Sequence, residues 1–556
     1  MIGQVVLTEG VVTAAAPDGF YLQDPTGDGD NATSEGILVE SAGQTAARAG
    51  DRIRLRATVA EAAAPGSPEG LRVTRLVQPA TIEVVSRNNR LPPPVLLGSA
   101  GRAIPHDQLI SASELPVDLR DTAQVGRNRF NPESDALDFF ESLEGMLVTM
   151  PRTTALSPTV RRGGGRSDYF AGLGLGAPVP TSAGGVLLRE GNFDRLRIVF
   201  DPVLSGAEAP VIATGDRTGR LTGVMDYGYG TFEVRPIAAV VVTARSGWCP
   251  EVTRLVKAPG QLTIATYNVL NLSPDSSDDG QRHRLAGQIV HALGAPDILA
   301  LQEIQDSSGE RNDGVVDGRP TLHALALAVR EAGGPGYAYV EVSPVDGRPG
   351  GVPGGNIRNG FLYDTLRVRR LSHRALTAAV LAAAGAPEPA AFAESRDPLE
   401  ATFEFEGRRV VAINNHLTSR YGSTPVFGAV QPWVEGGERE RDAQARALRA
   451  YVGALVRRDS AARIVVLGDM NTFEFSDEMS ATLPGKPALL TSLISRVEPA
   501  QRYSYVFEGN SQVLDHIFVT ANLAASAQAD IVHLNPDFPS EVEASDHDPM
   551  VARLRW

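Results

Sequence analysis

The first quarter of the chain consists of short apolar runs separated by turns that contain Gly, Pro and Asp. This spacing is typical of a small β-barrel or β-sandwich. A Pro-rich break at residues 91–95 ends the block, so we predict a first all-β domain over residues 1–95. Its predicted strands are Val5–Leu7, Gly19–Leu22, Gly36–Val39, Arg52–Val59 and Leu71–Val77.

A second β-rich block follows, and we predict a second domain over residues 96–255. Its clearest apolar runs are Glu144–Met150, Leu196–Phe200 and Phe232–Thr243. A loop rich in Gly and Arg lies between the first two of these runs, at Arg161–Arg166. The pattern again predicts a mainly β structure without long helices.

From Gln261 onwards, strand-like runs alternate with segments of helical periodicity. Leu285, Ile289 and Leu293 recur at i, i+4 and i+8, the spacing of one face of a helix. This alternation predicts a mixed α/β domain over residues 262–556. Its predicted strands are Leu262–Leu270, Ile298–Glu303, Gly360–Tyr363, Ala401–Phe405, Val410–His416, Ile464–Asp469, Val513–Val519 and Met550–Leu554.

Several of these predicted strands end in acidic, amide or imidazole side chains, which is where α/β enzymes place reactive groups. A single residue of this kind is usually a cap or a turn residue. Five such segments in one domain weaken that explanation for the whole set. They are Ala265–Asn268, Leu301–Glu303, Ile413–His416, Leu467–Asn471, and the pair Leu514–His516 with Ser545–Asp548.

As a set, these motifs resemble the endonuclease/exonuclease/phosphatase superfamily, which includes pancreatic-type deoxyribonuclease, apurinic endonucleases, inositol-polyphosphate phosphatases and neutral sphingomyelinases. The resemblance covers residues 262–556 and implies an α/β four-layer sandwich. The whole chain further resembles bacterial extracellular nucleases, in which N-terminal OB-fold-like domains precede the catalytic domain. The segments that carry this second resemblance are Tyr21–Asp30 and Glu144–Val148.

Hydrolysis of an anionic phosphodiester needs a cation, an oriented nucleophile and a proton for the leaving oxygen. Glu303 is an oxygen ligand suited to Mg²⁺, with Asn268 and Asp546 as further candidate ligands. Asp469 and Asn471 are two residues apart at a strand end and suit orientation of the nucleophile, and Asp469 could also hold a second metal ion. Mn²⁺ could replace Mg²⁺, and Ca²⁺ could serve as a structural or second ion.

His416 and His547 are the titratable groups expected to perform acid–base chemistry near neutral pH. Asp515 would fix the tautomer of one of them or bind water. Arg358 and Arg396 are candidate phosphate ligands because the family carries a basic residue in this region. His516 and Asp548 are expected to be structural, and exposed positions are expected for His283, His291, His323, His373 and His533.

Composition limits the remaining possibilities. The single cysteine of the 556 residues excludes an internal disulfide framework and a Cys-based zinc site. No apolar run reaches the roughly 18–20 residues of a membrane span.

The net charge is −14, and residues 1–250 carry 23 basic against 28 acidic side chains. Because neither half is basic, nucleic-acid contacts are expected from local arginines, namely Arg161, Arg162 and Arg166, with Tyr21 as a candidate for stacking on bases.

The prediction is a monomeric, metal-dependent phosphodiesterase that acts on nucleic acid, most readily DNA. The sequence does not decide whether the substrate is DNA or RNA, or whether cleavage is endonucleolytic or exonucleolytic. One alternative is a phosphatase or phospholipase C-type enzyme of the same superfamily; another is a non-catalytic binding or adhesion protein. The N-terminus shows no signal peptide, so we expect either a mature secreted or envelope protein or a cytoplasmic one. The acidic turn with Asp24, Asp28 and Asp30 could bind Ca²⁺, although an ordinary turn is the favoured interpretation.

Overall fold

The computed structural model describes residues 2–16, 19–41, 47–66, 68–121, 124, 129–174, 179–189, 192–274 and 280–555. The chain divides into two compact units. Unit 1 contains Met1–Trp248 together with two later segments, Ser423–Glu435 and Glu508–Asn510. Unit 2 contains the rest of the chain from Cys249 onwards. The two short segments of unit 1 therefore fall inside the range that the sequence pattern assigns to the catalytic domain.

Unit 1 begins with a closed β-barrel. In the strand Arg52–Ala63 the exposed arginines at 52, 54 and 56 alternate with buried Ile53, Leu55 and Ala57, so one face fills the barrel interior. The strands pair antiparallel except for Gly36–Glu40 with Arg72–Ser86, which are parallel. In spatial order the barrel strands are Val5–Ala16, Gly19–Gln23, Gly36–Glu40, Arg72–Ser86 and Arg52–Ala63. The N-terminal part is thus mainly β-sheet, as predicted, while its assignment to the OB-fold stays a prediction.

The rest of unit 1 is built around a large mixed sheet with an aromatic core that includes Phe140, Phe232 and Phe427. Its helical segments are Ala112–Glu114, Ala136–Glu141, Gly163–Gly165 and Pro202–Ser205, and Val117–Asp118 pairs with Val430–Gln431. The sheet strands are, in spatial order, Val242–Ala244, Arg217–Thr218, Thr153–Ala155, Ser167–Gly172 (which also pairs with Val160–Arg161), Arg195–Phe200, Thr231–Pro236, Leu221–Gly228, Leu147–Met150 and Val95–Leu96.

The structure shows the surroundings of two features that the sequence indicates in unit 1, Tyr21 and the acidic turn. Tyr21 is almost fully buried and its hydroxyl donates to the Asp226 carboxylate at 2.5 Å, so base stacking by Tyr21 is wrong. The acidic turn at 24–30 folds on itself, because the carboxylates of Asp24, Asp28 and Asp30 each accept a hydrogen bond from the backbone N–H two residues further on, at 2.8–2.9 Å. This is the geometry of an ordinary Asx turn.

A half-buried carboxyl in unit 1, that of Glu144, makes the stability of the fold depend on pH. Glu144 accepts a hydrogen bond from the Thr74 N–H at 2.9 Å. Burial, reinforced by the negative charges of Glu141 and Asp226, raises the pKa of Glu144 from 4.5 to about 9. The folded chain therefore holds a proton that the unfolded chain releases, so the free energy of unfolding should fall as the pH rises from about 4.5 to 9, by up to about 1.4 kcal/mol per pH unit.

We expect Glu144→Gln, which keeps the acceptor oxygen, to flatten this dependence and to raise the unfolding temperature at pH 8–9. Thermal unfolding at pH 5, 7 and 9 measures the effect. The control is Glu83→Gln, at an exposed position, and its stability should depend on pH in the same way as that of the wild type. Equal slopes for wild type and Glu144→Gln would contradict the prediction.

Unit 2 contains two mixed sheets. Each sheet contains one parallel pair of strands that matters for the site. In the first sheet this pair is Gln261–Leu272 with Ile298–Ile304, and in the second sheet it is Arg408–His416 with Ile464–Asp469. The first sheet has the spatial order Tyr337–Glu341, Arg358–Asp364, Ile298–Ile304, Gln261–Leu272, Met550–Arg555 and Gln528–Ile531. The second has the order Arg369–Ala375, Leu399–Phe405, Arg408–His416, Ile464–Asp469, Asp515–Thr520 and Leu490–Ser492. Tyr505–Phe507 is a further short strand of unit 2, Val186–Leu187 is a short strand of unit 1, and Asn510–Gln512 begins in the last segment of unit 1 and ends in unit 2.

Strand alternation sends each sheet's side chains into two different cores. Leu262 and Ile264 of the first sheet share one core with Val465 and Leu467 of the second, which places this core between the sheets. The intervening residues point outward, where Tyr267 packs with helical residues of 281–292 and 319–331 and Val466 with the helix Glu438–Arg458. Unit 2 is therefore an α/β sandwich of four layers, as predicted.

The helical segments of unit 2 form the outer layers and the connections. None of the helices in the described residues is both long and apolar enough to cross a lipid bilayer. The segments are Gln281–Gly287, continued by a π-turn at Gln288–Ala292, then Arg319–Glu331, Ala378–Ala383, Glu438–Arg458, Glu478–Thr482, Leu493–Arg496, Pro499–Gln501 and Ala521–Ala524.

Candidate active site

The two parallel strand pairs deliver the predicted site residues to one place in unit 2. Asn268 is the last residue of its strand before the register with Ile298–Ile304 shifts, and Glu303 lies next to its partner Gln302 in the first sheet. His416 and Asp469 are direct register partners in the second sheet. Because the carboxyl ends of parallel strands meet at the same sheet edge, each pair lies side by side. Asn268 joins the two sheets, since its side-chain N–H group donates to both Glu303 and Asp469 at 3.0 Å.

This convergence of oxygen donors fits a hard divalent cation. Glu303, His416 and Asp469 each offer a ligand atom within 4.8 Å of the others, and Asp469, Asp515 and His547 form a second such group. Two carboxylates, Glu303 and Asp469, meet at one amide although like charges repel, an arrangement that a cation would stabilise. Carboxylate and amide oxygens are the donors that Mg²⁺ prefers, and the chain has no cysteine here that would favour a softer metal.

The backbone around the site adopts strained conformations. Glu303 and Asn471 have positive φ angles of 62° and 50°, which non-glycine residues rarely adopt. Gly468 has φ 136°, and a Cβ atom there would lie 2.0 Å from the Asn415 carbonyl oxygen, so only glycine fits. Strained residues persist only where the surroundings hold them, and they concentrate at functional sites.

His547 is held by a hydrogen-bonded chain behind it. Its Nδ1 lies 2.7 Å from Asp515 Oδ2, and the same oxygen accepts a hydrogen bond from the Ser504 hydroxyl at 2.8 Å. Asp515 therefore orients the imidazole, and the other ring nitrogen, Nε2, lies 3.9 Å from Asp469 Oδ2. Burial alone would lower the pKa of His547, but the carboxylates of Asp515 and Asp469 raise it well above its ordinary value.

The pKa of His416 is shifted in the opposite direction from that of His547. Burial, together with the positive charges of Arg396 and His547, lowers the pKa of His416 well below its ordinary value, so it is neutral near pH 7. Its Nε2 lies 3.5 Å from Asp469 Oδ2 and 4.0 Å from Glu303 Oε1. Burial raises the pKa of Asp469 itself to about 7, and the nearby Asp515 adds to this effect. Asp469 thus lies between a neutral and a charged imidazole.

Asn471 and Asp546 complete the predicted catalytic and metal-binding set. The backbone N–H of Asn471 donates to Asp469 Oδ1 at 2.8 Å, and its side-chain amide donates to the Leu417 carbonyl at 3.1 Å. Asp546 is half-buried, and burial together with the charge of Glu303 raises its pKa, whereas the charge of His547 lowers it. Asn471 therefore supports Asp469, and Asp546 lies within electrostatic range of Glu303.

The two predicted phosphate-binding arginines occupy different environments. Arg396 is buried beside the acidic residues, and burial lowers its pKa to about 10 despite the charges of Asp469 and Glu303. Its Nη2 donates to the Leu417 carbonyl at 2.6 Å, while its Nε has no hydrogen-bond partner among the described residues. Arg358 is not brought to this group, because its guanidinium is buried and donates to the carbonyls of Asn356 and Val316.

Several residues support the site through contacts that the sequence does not reveal, although Ser545 and Gln302 lie within the predicted motifs. Ser545 donates to the Asn268 carbonyl at 2.7 Å and accepts from the His547 N–H at 3.1 Å, which ties two motifs together. Gln302 donates to Asn414 at 2.6 Å and links the two sheets beneath the site. The Tyr505 ring packs against His547 with ring centres 4.8 Å apart. Only the three-dimensional fold brings these residues together.

His533 corrects one sequence expectation. It was predicted to be exposed, but it is fully buried and its Nδ1 lies 2.8 Å from Asp548 Oδ2. The His533 ring stacks on Tyr503 with ring centres 4.0 Å apart. His516 is also buried, with its Nε2 3.0 Å from the Thr472 carbonyl. The other four histidines in that prediction, at 283, 291, 323 and 373, are exposed.

Family models match both halves of the chain. Residues 265–547 match the model described as Endonuclease/Exonuclease/phosphatase family, and residues 96–246 match one described as Domain of unknown function (DUF8508). No curated protein matches the chain.

Solved structures similar to the chain cover 53% of it. They include a humanized D. rerio TDP2 with 14 mutations (18% identity, 100% of that chain covered, TM-score 0.35). Others are an endonuclease/exonuclease/phosphatase from Bacteroides vulgatus (16% identity, 98% covered, TM-score 0.34) and the catalytic domain of human Nocturnin with bound sulfate (18% identity, 94% covered, TM-score 0.33).

Proposed function

The chain belongs to the endonuclease/exonuclease/phosphatase family and is a phosphoester hydrolase, and from this premise we propose that it cleaves the phosphodiester bonds of nucleic acid, most readily DNA. The observation that carries the proposal is the juxtaposition of the His547–Asp515 pair with the converging oxygens of Asn268, Glu303 and Asp469. Such a site can orient water, neutralise a phosphate and deliver a proton.

Different residues of the site have different roles in the proposed reaction. Glu303 and Asn268, with Asp546 nearby, would hold Mg²⁺, which when bound withdraws charge from the phosphate. Asp469 Oδ2 lies within 4 Å of an Nε2 atom of both His416 and His547, which suits the role of general base, and its backbone partner Asn471 holds it in place. A water hydrogen-bonded to Asp469 would be within reach of His416 as well.

His547 and Arg396 suit the phosphate side of the reaction. His547 carries a proton that Asp515 stabilises, so it can donate a hydrogen bond or a proton to the developing negative charge. Arg396 keeps an unpartnered N–H donor close to the carboxylates, which suits a phosphate oxygen. Opposite pKa shifts in His416 and His547 assign different protonation states to the two imidazoles.

A substrate panel tests the proposal. The purified chain is incubated with supercoiled plasmid, linear duplex DNA, RNA, an inositol phosphate and sphingomyelin, with Mg²⁺ and with excess chelator. We expect Mg²⁺-dependent nicking of plasmid by the wild type and none by Asp469→Asn prepared in parallel, which excludes a contaminating nuclease. Cleavage of the inositol phosphate or the lipid without any cleavage of nucleic acid would replace the proposal with the phosphatase or phospholipase alternative.

We also propose action outside the cytoplasm, either secreted or in the cell envelope, by a monomer. The support is the sequence resemblance to extracellular nucleases. Assay of culture medium, envelope and cytoplasmic fractions for plasmid nicking tests the location, and size-exclusion chromatography with light scattering tests the oligomeric state. Activity confined to the cytoplasmic fraction would contradict the proposal.

A further inference from the structure

A groove in unit 1 lies at one end of four neighbouring strands of the large sheet. It has a volume of about 550 Å³ and runs past the short strands Val242–Ala244, Arg217–Thr218 and Thr153–Ala155 to the end of Ser167–Gly172. Because neighbouring strands are about 4.8 Å apart, the groove spans roughly 14 Å. At about 3.4 Å of duplex axis per phosphate of one DNA strand, this length is enough for several consecutive phosphates.

Among the described residues that line the groove, the only charges are positive. Arg152 and Arg217 line it, and these described residues include no Asp or Glu. Both arginines are exposed, and in the part of the chain that the structure describes neither forms an ion pair. This local charge stands out because residues 1–250 are net negative, with 23 basic and 28 acidic side chains.

The acid nearest in sequence is turned away from the groove. Asp216, which precedes Arg217, is buried, and its carboxylate accepts from Arg245 at 2.7 Å and from the backbone N–H of Ser246 at 2.8 Å. It also accepts from the Ala213 N–H at 3.1 Å. The carboxylate that could have neutralised Arg217 is therefore committed elsewhere.

Two arginines of the Gly/Arg-rich loop, Arg162 and Arg166, are less suited to bind phosphate. Arg162 is paired with Asp168 at 2.8 Å, and Arg166 lies 3.5 Å from Asp201. Their charges are thus largely balanced within the protein. The sequence indicated this loop as the nucleic-acid contact of the N-terminal region, and the structure points instead to the groove of Arg152 and Arg217.

The chemistry of the lining indicates which ligand fits. Besides the arginines it consists of threonines, glycines and three small or apolar side chains, without an aromatic ring for base stacking. Guanidinium groups bind phosphate oxygens in a bidentate manner, and such phosphate contacts carry no information about the base sequence. We propose that this groove binds the phosphate backbone of nucleic acid, as an anchoring site separate from the catalytic residues; this inference rests on the proposed function.

Equilibrium binding without cleavage tests the site. Fluorescence anisotropy of a labelled single-stranded DNA oligonucleotide is measured with the full chain in EDTA over a range of salt concentrations. We expect Arg152→Gln with Arg217→Gln to weaken binding about tenfold or more near 0.1 M salt. The slope of log affinity against log salt should become shallower by about 1.4, or 0.7 per lost phosphate contact.

The matched control is Arg56→Gln with Arg72→Gln, which removes two exposed charges from the barrel strands of the same unit. It should keep the affinity and slope of the wild type, and far-UV circular dichroism with thermal unfolding should show all variants folded. A charge-reversed groove variant, Arg152→Glu with Arg217→Glu, should bind still more weakly. Equal losses in groove and control variants, or no loss in either groove variant, would overturn the inference.

Failure of this inference can be told apart from failure of the proposed function. If the wild type cleaves DNA with Mg²⁺ but the groove variants bind it normally, the anchoring site alone is wrong. If the wild type cleaves no nucleic acid, the proposed function is wrong whatever the binding result.

Discussion

His547→Ala should reduce kcat for phosphodiester cleavage by about 10²–10⁴-fold, the usual cost of losing a positioned acid–base group. The reason is geometric: Asp515 and Ser504 hold the ring so that Nε2 faces Asp469, and no other described residue offers a protonated imidazole there. Initial rates of plasmid nicking at saturating Mg²⁺ measure the effect. His416→Ala should show a loss of the same order, because its Nε2 lies 3.5 Å from Asp469.

The matched control for these variants is His283→Ala, which removes an exposed imidazole from the start of the helix Gln281–Gly287 and should retain the wild-type rate. Asp515→Asn provides a further check. It keeps the size of the side chain but removes the negative charge that favours protonated His547, so the pH–rate profile should change its shape as well as its height. A folded His547→Ala chain with more than a tenth of the wild-type rate would refute the role assigned to this residue.

The hydrophobic pattern predicts the central strands of unit 2 and misses the edges. Every residue of Ile464–Asp469 is buried, because the strand lies between the inner core and a helix, and this produces a continuous apolar run. Arg369–Ala375, by contrast, is an edge strand with mostly exposed or half-buried polar residues. Edge strands are stabilised by pairing with one neighbour and have little apolar periodicity to detect. In the two six-stranded sheets of unit 2 the other strands that the pattern missed, at 337–341, 490–492 and 528–531, are also sheet edges.

The candidate site was accessible from sequence to the extent that it lies at strand ends. Asn268, Glu303, His416 and Asp469 each follow an apolar run, and parallel pairing brings such ends together. The residues that orient them were not accessible, because their contacts depend on tertiary folding. Ser504 lies 11 residues before Asp515 in a segment without a motif.

Burial of charged and polar side chains was the least predictable property. Arg358 and Arg396 look equivalent in sequence, because each precedes a predicted strand. In the structure, however, Arg358 donates its hydrogen bonds to backbone carbonyls, whereas Arg396 lies near the carboxylates of Asp469 and Glu303. His533 follows an apolar segment, and its burial depends on Asp548, 15 residues away. A single sequence contains no information about which acceptors will surround such a group.

Excess chelator should abolish cleavage, and Glu303→Gln should raise the Mg²⁺ concentration needed for half-maximal rate by at least about 10–100-fold. Glu303 lies 3.0 Å from the Asn268 amide that also contacts Asp469, and the backbone N–H of Asn271 holds its second oxygen at 2.9 Å. The substitution removes the negative charge of this ligand and leaves a neutral amide of the same shape, which binds Mg²⁺ more weakly. Rates titrated with Mg²⁺ for wild type and variant give the two half-maximal concentrations.

A readout independent of catalysis accompanies this titration. If Mg²⁺ binds the folded chain at Glu303, it should raise the unfolding temperature of the wild type more than that of Glu303→Gln, since a ligand stabilises only the state that binds it. Glu310→Gln, which changes an exposed glutamate seven residues further along the chain, should respond to Mg²⁺ like the wild type. Full turnover in excess chelator would show that the carboxylates of Glu303 and Asp469 serve the reaction without a metal ion, and the assignment of Glu303 as a ligand would then be wrong.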